Sequence, residues 1–265
     1  MSEPTLRRQV FNARMAANLD RLYASPQVLA QRQRLRQLIA AQPGEHGVDV
    51  GCGLGHLSCE LALDVGDTGR ITGIDASADM VSGAQQRAAR LGVGDRVAPR
   101  LGDATALDLP DGSADFVVAV QSYSYVPQVE QAIKEAVRVL RPGGRLAVLE
   151  TDWDLCVYAS ADPAQMRRLF DGRWRFAHSH LPRQLHRMFR DAGLRLAQAE
   201  AFPILETRYD PDSFGVGLVQ IARNAAVRHG ADATQADAWV ADIHARTAEG
   251  DYFFCVNRFM FVAVK

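Results

Sequence analysis

Val48-Asp49-Val50-Gly51-Cys52-Gly53-Leu54-Gly55-His56 is the stretch that decides how this chain folds. A short apolar run ends on three glycines at alternate positions, and a helical pattern over 56–65 follows at once. Glycine admits the positive φ of a sharp strand-to-helix turn, and it lets a ligand approach the backbone at a helix N-terminus. Alone the turn is a weak signal, because dinucleotide-binding proteins use a similar one. Their spacing is G-x-G-x-x-G, and the third glycine of that pattern would fall on His56. Here the spacing is G-x-G-x-G, preceded by Asp49.

Outward from that turn the pattern repeats. Ile71 to Asp75, Val97 to Leu101, Phe116 to Val120 and Leu146 to Glu150 read as strands, and 77–91 and 127–140 read as helices. Arg141-Pro142-Gly143-Gly144 is expected to be a turn. Continuously apolar strands alternating with helices predict a mostly parallel sheet covered on both faces. Asp75, followed by Ala76, ends the second strand, where a carboxylate grips a ribose diol in such folds. Gly102-Asp103-Ala104 follows the third strand. Buried turns for the glycines and helix capping for Asp75 (it precedes Ser77) are the plain structural alternatives. Three such features at the right strand ends favour a bound ligand.

Residues 5–42 have a helical pattern, with Leu19, Leu22, Val28, Leu35 and Leu38 spaced for one apolar face. Ser25-Pro26 supplies an N-cap and a first-turn proline, and Pro43-Gly44 ends the second helix. Beyond 151 the pattern predicts helices at 163–178 and 182–192, a strand at 194–203, helices at 211–229 and 234–248, and a β-like end from Tyr252 to Val264. The expected organisation is one unit over 1–265. It comprises an N-terminal helical lid (1–43), a cofactor-binding core (44–151), a helical cap and acceptor region (152–193), and C-terminal strands and helices (194–265).

Composition sets the outer limits. A chain of 265 residues with 48% hydrophobic and 23% charged residues, 21 Gly and 11 Pro is ordinary for a globular protein. It buries about 70–75% of its unfolded surface, so it needs neither disulfides nor a structural metal. A net charge of −1 excludes a global field toward nucleic acid or acidic lipid. No apolar run approaches a membrane span, and Met1 to Val10 has no signal core, so the expected location is the cytoplasm. Cys52, Cys59, Cys156 and Cys255 lack zinc spacing and are expected as free thiols. Lysine is confined to Lys134 and Lys265, all other basic residues being Arg, which hints at a G+C-rich bacterial source.

On these residues 44–150 resembles a class I S-adenosylmethionine-dependent methyltransferase of the ubiquinone/menaquinone C-methyltransferase-like (type 11) group. The matching segments are Asp49-Val-Gly51-Cys-Gly53-Leu-Gly55, Asp75, Gly102-Asp103-Ala104, Asp115 to Gln121 and Leu140 to Gly144. The resemblance implies a Rossmann-like, seven-stranded sheet whose last strand is antiparallel, with S-adenosyl-L-methionine as cofactor. It implies that the glycine turn lies against the methionine part, Asp75 binds the ribose, Met80 packs on adenine, and Asp103 with Ala104 reads its edge. Gln121 is implied to lie by the methyl group, and Tyr23 and Arg32 are candidates to meet the carboxylate. Asn18 to Tyr23, Thr151 to Asp154, His180 to Arg183 and Tyr252 to Arg258 also resemble a subgroup of bacterial methyltransferases.

Methyl transfer is an in-line displacement whose reactivity the cofactor carries, so no metal is required. In the implied topology the ends of strands four, five and seven meet. The expected acceptor site is therefore Tyr125, Trp153, Asp154, Arg183 and Asn257, with Asp152, Tyr252 and His180 as catalytic candidates. The eight Arg of 163–195 offer a lip for an anionic substrate, though a solvated helix face explains most of them. A small-molecule acceptor, with the enzyme as monomer or homodimer, is the leading expectation. A nucleic-acid methyltransferase is disfavoured, because Gln121-Ser-Tyr-Ser-Tyr stands where base-directed enzymes carry Asn/Asp-Pro-Pro-Tyr/Phe. A non-catalytic cofactor-binding protein of the same fold is the remaining alternative.

Overall fold

The apolar runs become strands because both of their faces are covered. In this computed structural model, which describes residues 20–170 and 176–265, Val48, Val50, Phe116, Val117, Val118, Leu146 and Val148 are all essentially inaccessible to solvent. The first strands are β1 (His46–Val50), β2 (Arg70–Asp75), β3 (Val97–Leu101), β4 (Ala114–Val120) and β5 (Leu140–Thr151). They are followed by β6 (Val157–Tyr158), β7 (Arg195–Glu206) and β8 (Phe254–Val264). The sheet order is β3-β2-β1-β4-β5-β8, with β7 on the far edge of β8 and β6 extending the line of β5 along β8. β1 to β5 pair in parallel, and β8 runs antiparallel to both β5 and β7. The result is the expected Rossmann-like sheet, with the two-residue β6 added.

Helix α1 (Pro26–Ile39) precedes β1, while α2 (His56–Asp64) and α3 (Ala78–Arg90) follow β1 and β2. Leu35, Ile39, Leu57 and Leu61 pack on one sheet face with Phe116, Leu149 and Met260. On the other face lie α4 (Val129–Val139) and α6 (Pro182–Asp191), through Ile133, Ala136, Leu185 and Phe189. The periodicity of α4 accounts for this, since Val129, Ala132, Ile133, Ala136 and Val139 form a single buried stripe. A third apolar cluster lies beyond the sheet's core, where α7 (Phe214–Arg228) and α8 (Ala233–Ala248) enclose the fully buried Trp239 against Tyr158 and Phe254. α5 (Pro163–Phe170) joins this cluster through Met166 and Leu169.

Several expectations need correction. Arg141 to Gly144 do not form a free turn but open β5, where Gly143 N–H donates to the Lys265 carbonyl (3.0 Å) and Lys265 N–H to the Gly144 carbonyl (2.9 Å). The expected helix 163–178 is α5 as far as Phe170, residues 171–175 are not described, and 176–178 are not helical. Ser25 takes the N-cap position of α1, but among the described residues its hydroxyl has no partner. Of the lid, the stretch 20–23 is helical, and the part up to Leu19 lies outside the described residues.

Candidate functional site

A cavity of about 460 Å³ opens at the carboxyl ends of β1 to β4. Its floor is the glycine turn. Gly51 has φ 76°, and a Cβ there would lie 2.3 Å from the Ser122 Cβ, so only glycine fits. Its N–H donates to the Ile74 carbonyl (2.7 Å), which ties the ends of β1 and β2 together. Gly53 has φ 52° and nothing within 4 Å of where a Cβ would be. Gly55 does not line the cavity. It caps α2 at φ 75°, and a Cβ would strike Ala84 at 2.9 Å.

Two carboxylates organise this end. Asp75 accepts from Gly53 N–H through Oδ2 (2.9 Å) and from Ser77 N–H through Oδ1 (2.9 Å). It thus fixes the glycine turn and the start of α3 at once, and its remaining lone pairs face the cavity. The structural alternative and the ligand role are compatible. Asp49 is buried beneath the turn and accepts from the Ser58 hydroxyl (2.6 Å). Burial pushes its carboxyl up to about 7, against the lowering effect of that hydrogen bond. Ala76, Met80, Asp103 and Ala104 line the same end. Asp103 Oδ1 accepts from the N–H and hydroxyl of Thr105 (2.9 and 2.8 Å).

The 20–39 segment forms the roof. Asp20 pairs with His56 Nε2 (2.8 Å) and with Arg87, clamping the segment to α2 and α3. Burial drives the His56 imidazole down to about 4, so it is neutral near pH 7. Arg32 is buried, donates to Glu60 (2.9 Å), and donates to the Tyr23 carbonyl (2.7 Å). Tyr23 and Arg32 both line the cavity.

At the other end stand Gln121, Tyr125 and two residues that sequence reasoning did not select, Gln31 and Arg258. Gln121 adopts φ 51° just past β4, and its Oε1 accepts from the Thr151 hydroxyl (2.7 Å) while its buried Nε2 has no partner among the described residues. The turn behind it is held by Glu150, a fully buried carboxylate. Glu150 accepts from the N–H groups of Ser122 (3.0 Å), Tyr123 (2.7 Å) and Ser124 (3.3 Å), and from the Ser124 hydroxyl. Burial pushes Glu150 up to about 7. Arg258 is 2% exposed and donates to Gln31, with its guanidinium 4.4 Å from the Phe214 ring centre.

The expected catalytic trio does not meet here. Asp152 is buried behind the wall, where it caps a short turn (Asp154 N–H, 3.2 Å) and takes a bidentate pair from Arg183 (2.6 and 2.9 Å). Arg183 also reaches Asp154 (3.0 Å), so the three form a closed ion-pair group. Tyr252 is buried against the third cluster, its hydroxyl donating to Glu206 (3.2 Å). His180 is exposed and touches Ser179 (3.2 Å). Trp153 stands one layer back from the cavity, stacked on Phe176 (4.9 Å), which in turn meets Tyr125 edge-on (5.0 Å). Asn257 contributes its carbonyl to Asp152 N–H (3.3 Å). Of the expected acceptor residues only Tyr125 lines the cavity. The reason is β6: Val157 and Tyr158 pair with Cys255 and Phe254, which closes the edge where Tyr252 and Asp152 were expected to open. Of the arginines in the expected cap, Arg190 pairs with Asp191 (2.9 Å) and Arg168 with Asp162. Among the described residues no group of three His, Cys, Asp or Glu could hold a metal ion.

One signal for Arg258 was present in the sequence. Phe254, Val256, Met260 and Val262 share its parity in β8 and all face inward, so a charged residue there must be buried. Gln31 likewise lies on the buried stripe of Val28, Arg32 and Leu35.

Comparison with known proteins supports the same reading. Residues 48–148 match the family model of a methyltransferase domain. Over 251 residues the chain is 32% identical to a Streptomyces fradiae protein described as an uncharacterized 37.1 kDa protein in transposon TN4556, covering 92% of this chain and 70% of the relative. It is 34% identical over 144 residues to the demethylmenaquinone methyltransferase of Desulfitobacterium hafniense (strain Y51), covering 54% of each. The match therefore spans about half the length of that curated enzyme. Among solved structures, a Bacillus halodurans C-125 protein provisionally assigned as a methyltransferase aligns with a TM-score of 0.64 at 18% identity, over 89% of this chain and 99% of the other. That last likeness is one of fold.

Proposed function

The chain belongs to the class I S-adenosylmethionine-dependent methyltransferases, and from that premise we propose that it methylates a small-molecule acceptor at a C, O or N atom. The observation that carries this reading is one continuous cavity. The glycine turn, Asp75 and Asp103 stand at one end, and Gln121, Tyr125 and Arg258 at the other. The residues fit the cofactor. Gly53 presents bare backbone to open space, Asp75 keeps lone pairs for a diol, and the cavity is within the range of roughly 300–1,000 Å³ typical of ligand sites.

S-adenosylmethionine, when bound, supplies a methyl group on a sulfonium, so the protein's share is alignment and exclusion of water. We assign the ribose to Asp75 with Ala76, the adenine to Met80, Asp103 and Ala104, and the methionine part to Gly51 and Gly53 with Tyr23 and Arg32. Asp49 and Gly55 shape the turn from beneath and behind. Gln121 and Tyr125 flank the acceptor. Gln121 is preset for this, because Thr151 fixes its carbonyl oxygen and leaves its N–H₂ buried without a partner among the described residues.

The unit we propose is 1–265, a monomer or homodimer acting in the cytoplasm. Among the described residues no helix is long and apolar enough to cross a membrane. The near-zero net charge and the Gln121-Ser-Tyr-Ser-Tyr segment favour a small molecule over nucleic acid. Calorimetry with S-adenosylhomocysteine and with NAD tests the cofactor, and label transfer from methyl-labelled cofactor across a metabolite panel, with and without EDTA, tests the chemistry. Binding of NAD in preference to S-adenosylhomocysteine would overturn the proposal. Transfer that needed added magnesium would overturn its metal-free form.

A further inference from the structure

The cavity's cations are not equivalent. Arg32 is neutralised by Glu60, and His56 is uncharged and bonded to Asp20. Among the described residues Arg258 forms no ion pair and its Nε has no hydrogen-bond partner. Gln31, to which it donates, is neutral. Glu150 contributes to its field but spends its oxygens on Ser122, Tyr123 and Ser124. A buried guanidinium without a counter-charge is costly, so such groups occur paired or facing a ligand. Burial has already drawn Arg258 down to about 10, which leaves it charged near neutral pH.

A second orphan lies beside it. Thr151 and Arg258 are direct cross-strand partners, so their side chains share one face of the sheet, and Thr151 holds Gln121. Gln121 and Arg258 therefore stand in one wall of one cavity, with the unpaired Gln121 Nε2 and Arg258 Nε buried within that wall. Two donors and a positive charge call for an oxyanion.

We propose that the methyl acceptor carries a carboxylate- or phosphate-class anion, held by the Arg258 guanidinium beside the Gln121 amide. This rests on the methyl-transfer reading above and specifies its substrate class. The same chemistry could come from the cofactor's own carboxylate. We assign it to the acceptor because Arg258 rises from β8, three strands from β1 in the order β1-β4-β5-β8, whereas the methionine part is assigned to the turn after β1.

The test uses the full chain saturated with S-adenosylhomocysteine. Benzoate, phenyl phosphate, benzamide and benzylamine are titrated by calorimetry or ligand-observed NMR. At least one of the two anions should bind about tenfold or more tightly than benzamide or benzylamine. R258Q and R258M should abolish that preference while S-adenosylhomocysteine affinity stays within about threefold. Should those variants fail to fold, R258K and the wild-type selectivity between anion and amine still decide. Benzylamine or benzamide binding as well as both anions, or no anion binding, would overturn the proposal. So would a tenfold loss of S-adenosylhomocysteine affinity in R258Q with unchanged affinity for 5′-methylthioadenosine, which lacks the carboxylate, because the arginine would then serve the cofactor. Failure of the wild type to bind S-adenosylhomocysteine would instead overturn the methyltransferase reading on which this one rests.

Discussion

Residues 44–151 and residues 152–265 use the same elements but place their buried polar groups differently. In the first stretch the buried carboxylates bond to groups that gather at the strand ends. Asp49 meets Ser58 at the start of α2, and Glu150 meets Ser122, Tyr123 and Ser124 beyond β4. These bonds shape the cavity. In the second stretch two carboxylates are buried: Asp152 takes the Arg183 fork, and Glu206 bonds to Ser213, Gly215 N–H and Tyr252, which tie β7, α7 and the start of β8 together away from the cavity. The contrast teaches that one part spends its polar groups on a ligand site and the other on cohesion. Arg258 is the exception, a second-stretch residue whose side chain enters the first stretch's cavity.

That contrast can be broken experimentally. The largest effect is expected for Gly51→Ala, which combines a left-handed backbone with the clash on Ser122. Equilibrium denaturation should show a loss of about 2–4 kcal/mol together with lost S-adenosylhomocysteine binding. Glu206→Ala strands three donors and should cost about 2–3 kcal/mol by the same measurement. Here, unlike Gly51→Ala, cofactor affinity should hold. If it fell in parallel, the two stretches would not be separable in this way.

Asp75→Ala should weaken S-adenosylhomocysteine about 10–100-fold in calorimetry, the scale of hydrogen bonds to a charged group. An unchanged affinity would remove Asp75 from the site. Glu150→Gln addresses pH. With its folded value raised from 4.5 to about 7, the native state keeps this proton longer than the unfolded chain does. Stability conferred by the neutral form is therefore lost as pH rises from about 4.5 through 7. The glutamine variant should gain about 1–2 kcal/mol relative to wild type at pH 8 over pH 5, with a residual slope from Asp49. A wild-type stability that rose over that window and a variant that tracked it would contradict the assignment. The smallest effect belongs to His180→Ala, within about 0.5 kcal/mol and without change in cofactor affinity, as for an exposed side chain.

The sequence made the β1–β4 end legible because its determinants are local. A glycine that must take positive φ, or an acid that ends an apolar run, announces itself within a few residues. Asp75, Asp103 and the turn needed no knowledge of the remaining chain. The acceptor side depended on a register between segments a hundred residues apart. Asp152 and Tyr252 were at strand ends, as expected, but the pairing of Val157 with Cys255 and the Arg183 fork turned them inward from solvent and away from the cavity. Nothing near Asp152 specifies an arginine 31 positions later as its partner. Arg258 was readable in principle, as the one charge on the buried parity of β8, yet only the fold says which cavity that parity faces.

The position of β8 bears on how the molecule is assembled. It lies between β5 and β7, contributes Phe254 and Val256 to one apolar cluster, Met260 and Val262 to a second, and Phe261 and Ala263 to a third, yet it follows every other strand along the chain. While this chain is being synthesised, β5 and β7 thus present bare inner edges until residues 254–264 have emerged, and bare edges are templates for mispairing. The parallel half can form early on its own crossovers, but the sheet cannot be sealed vectorially. A pulse of nascent chains stalled before residue 254 should bind chaperones and be digested by protease, and release of the last strand should protect the whole sheet in one step. The strand that brings Arg258 to the cavity is thus also the one whose arrival completes the fold.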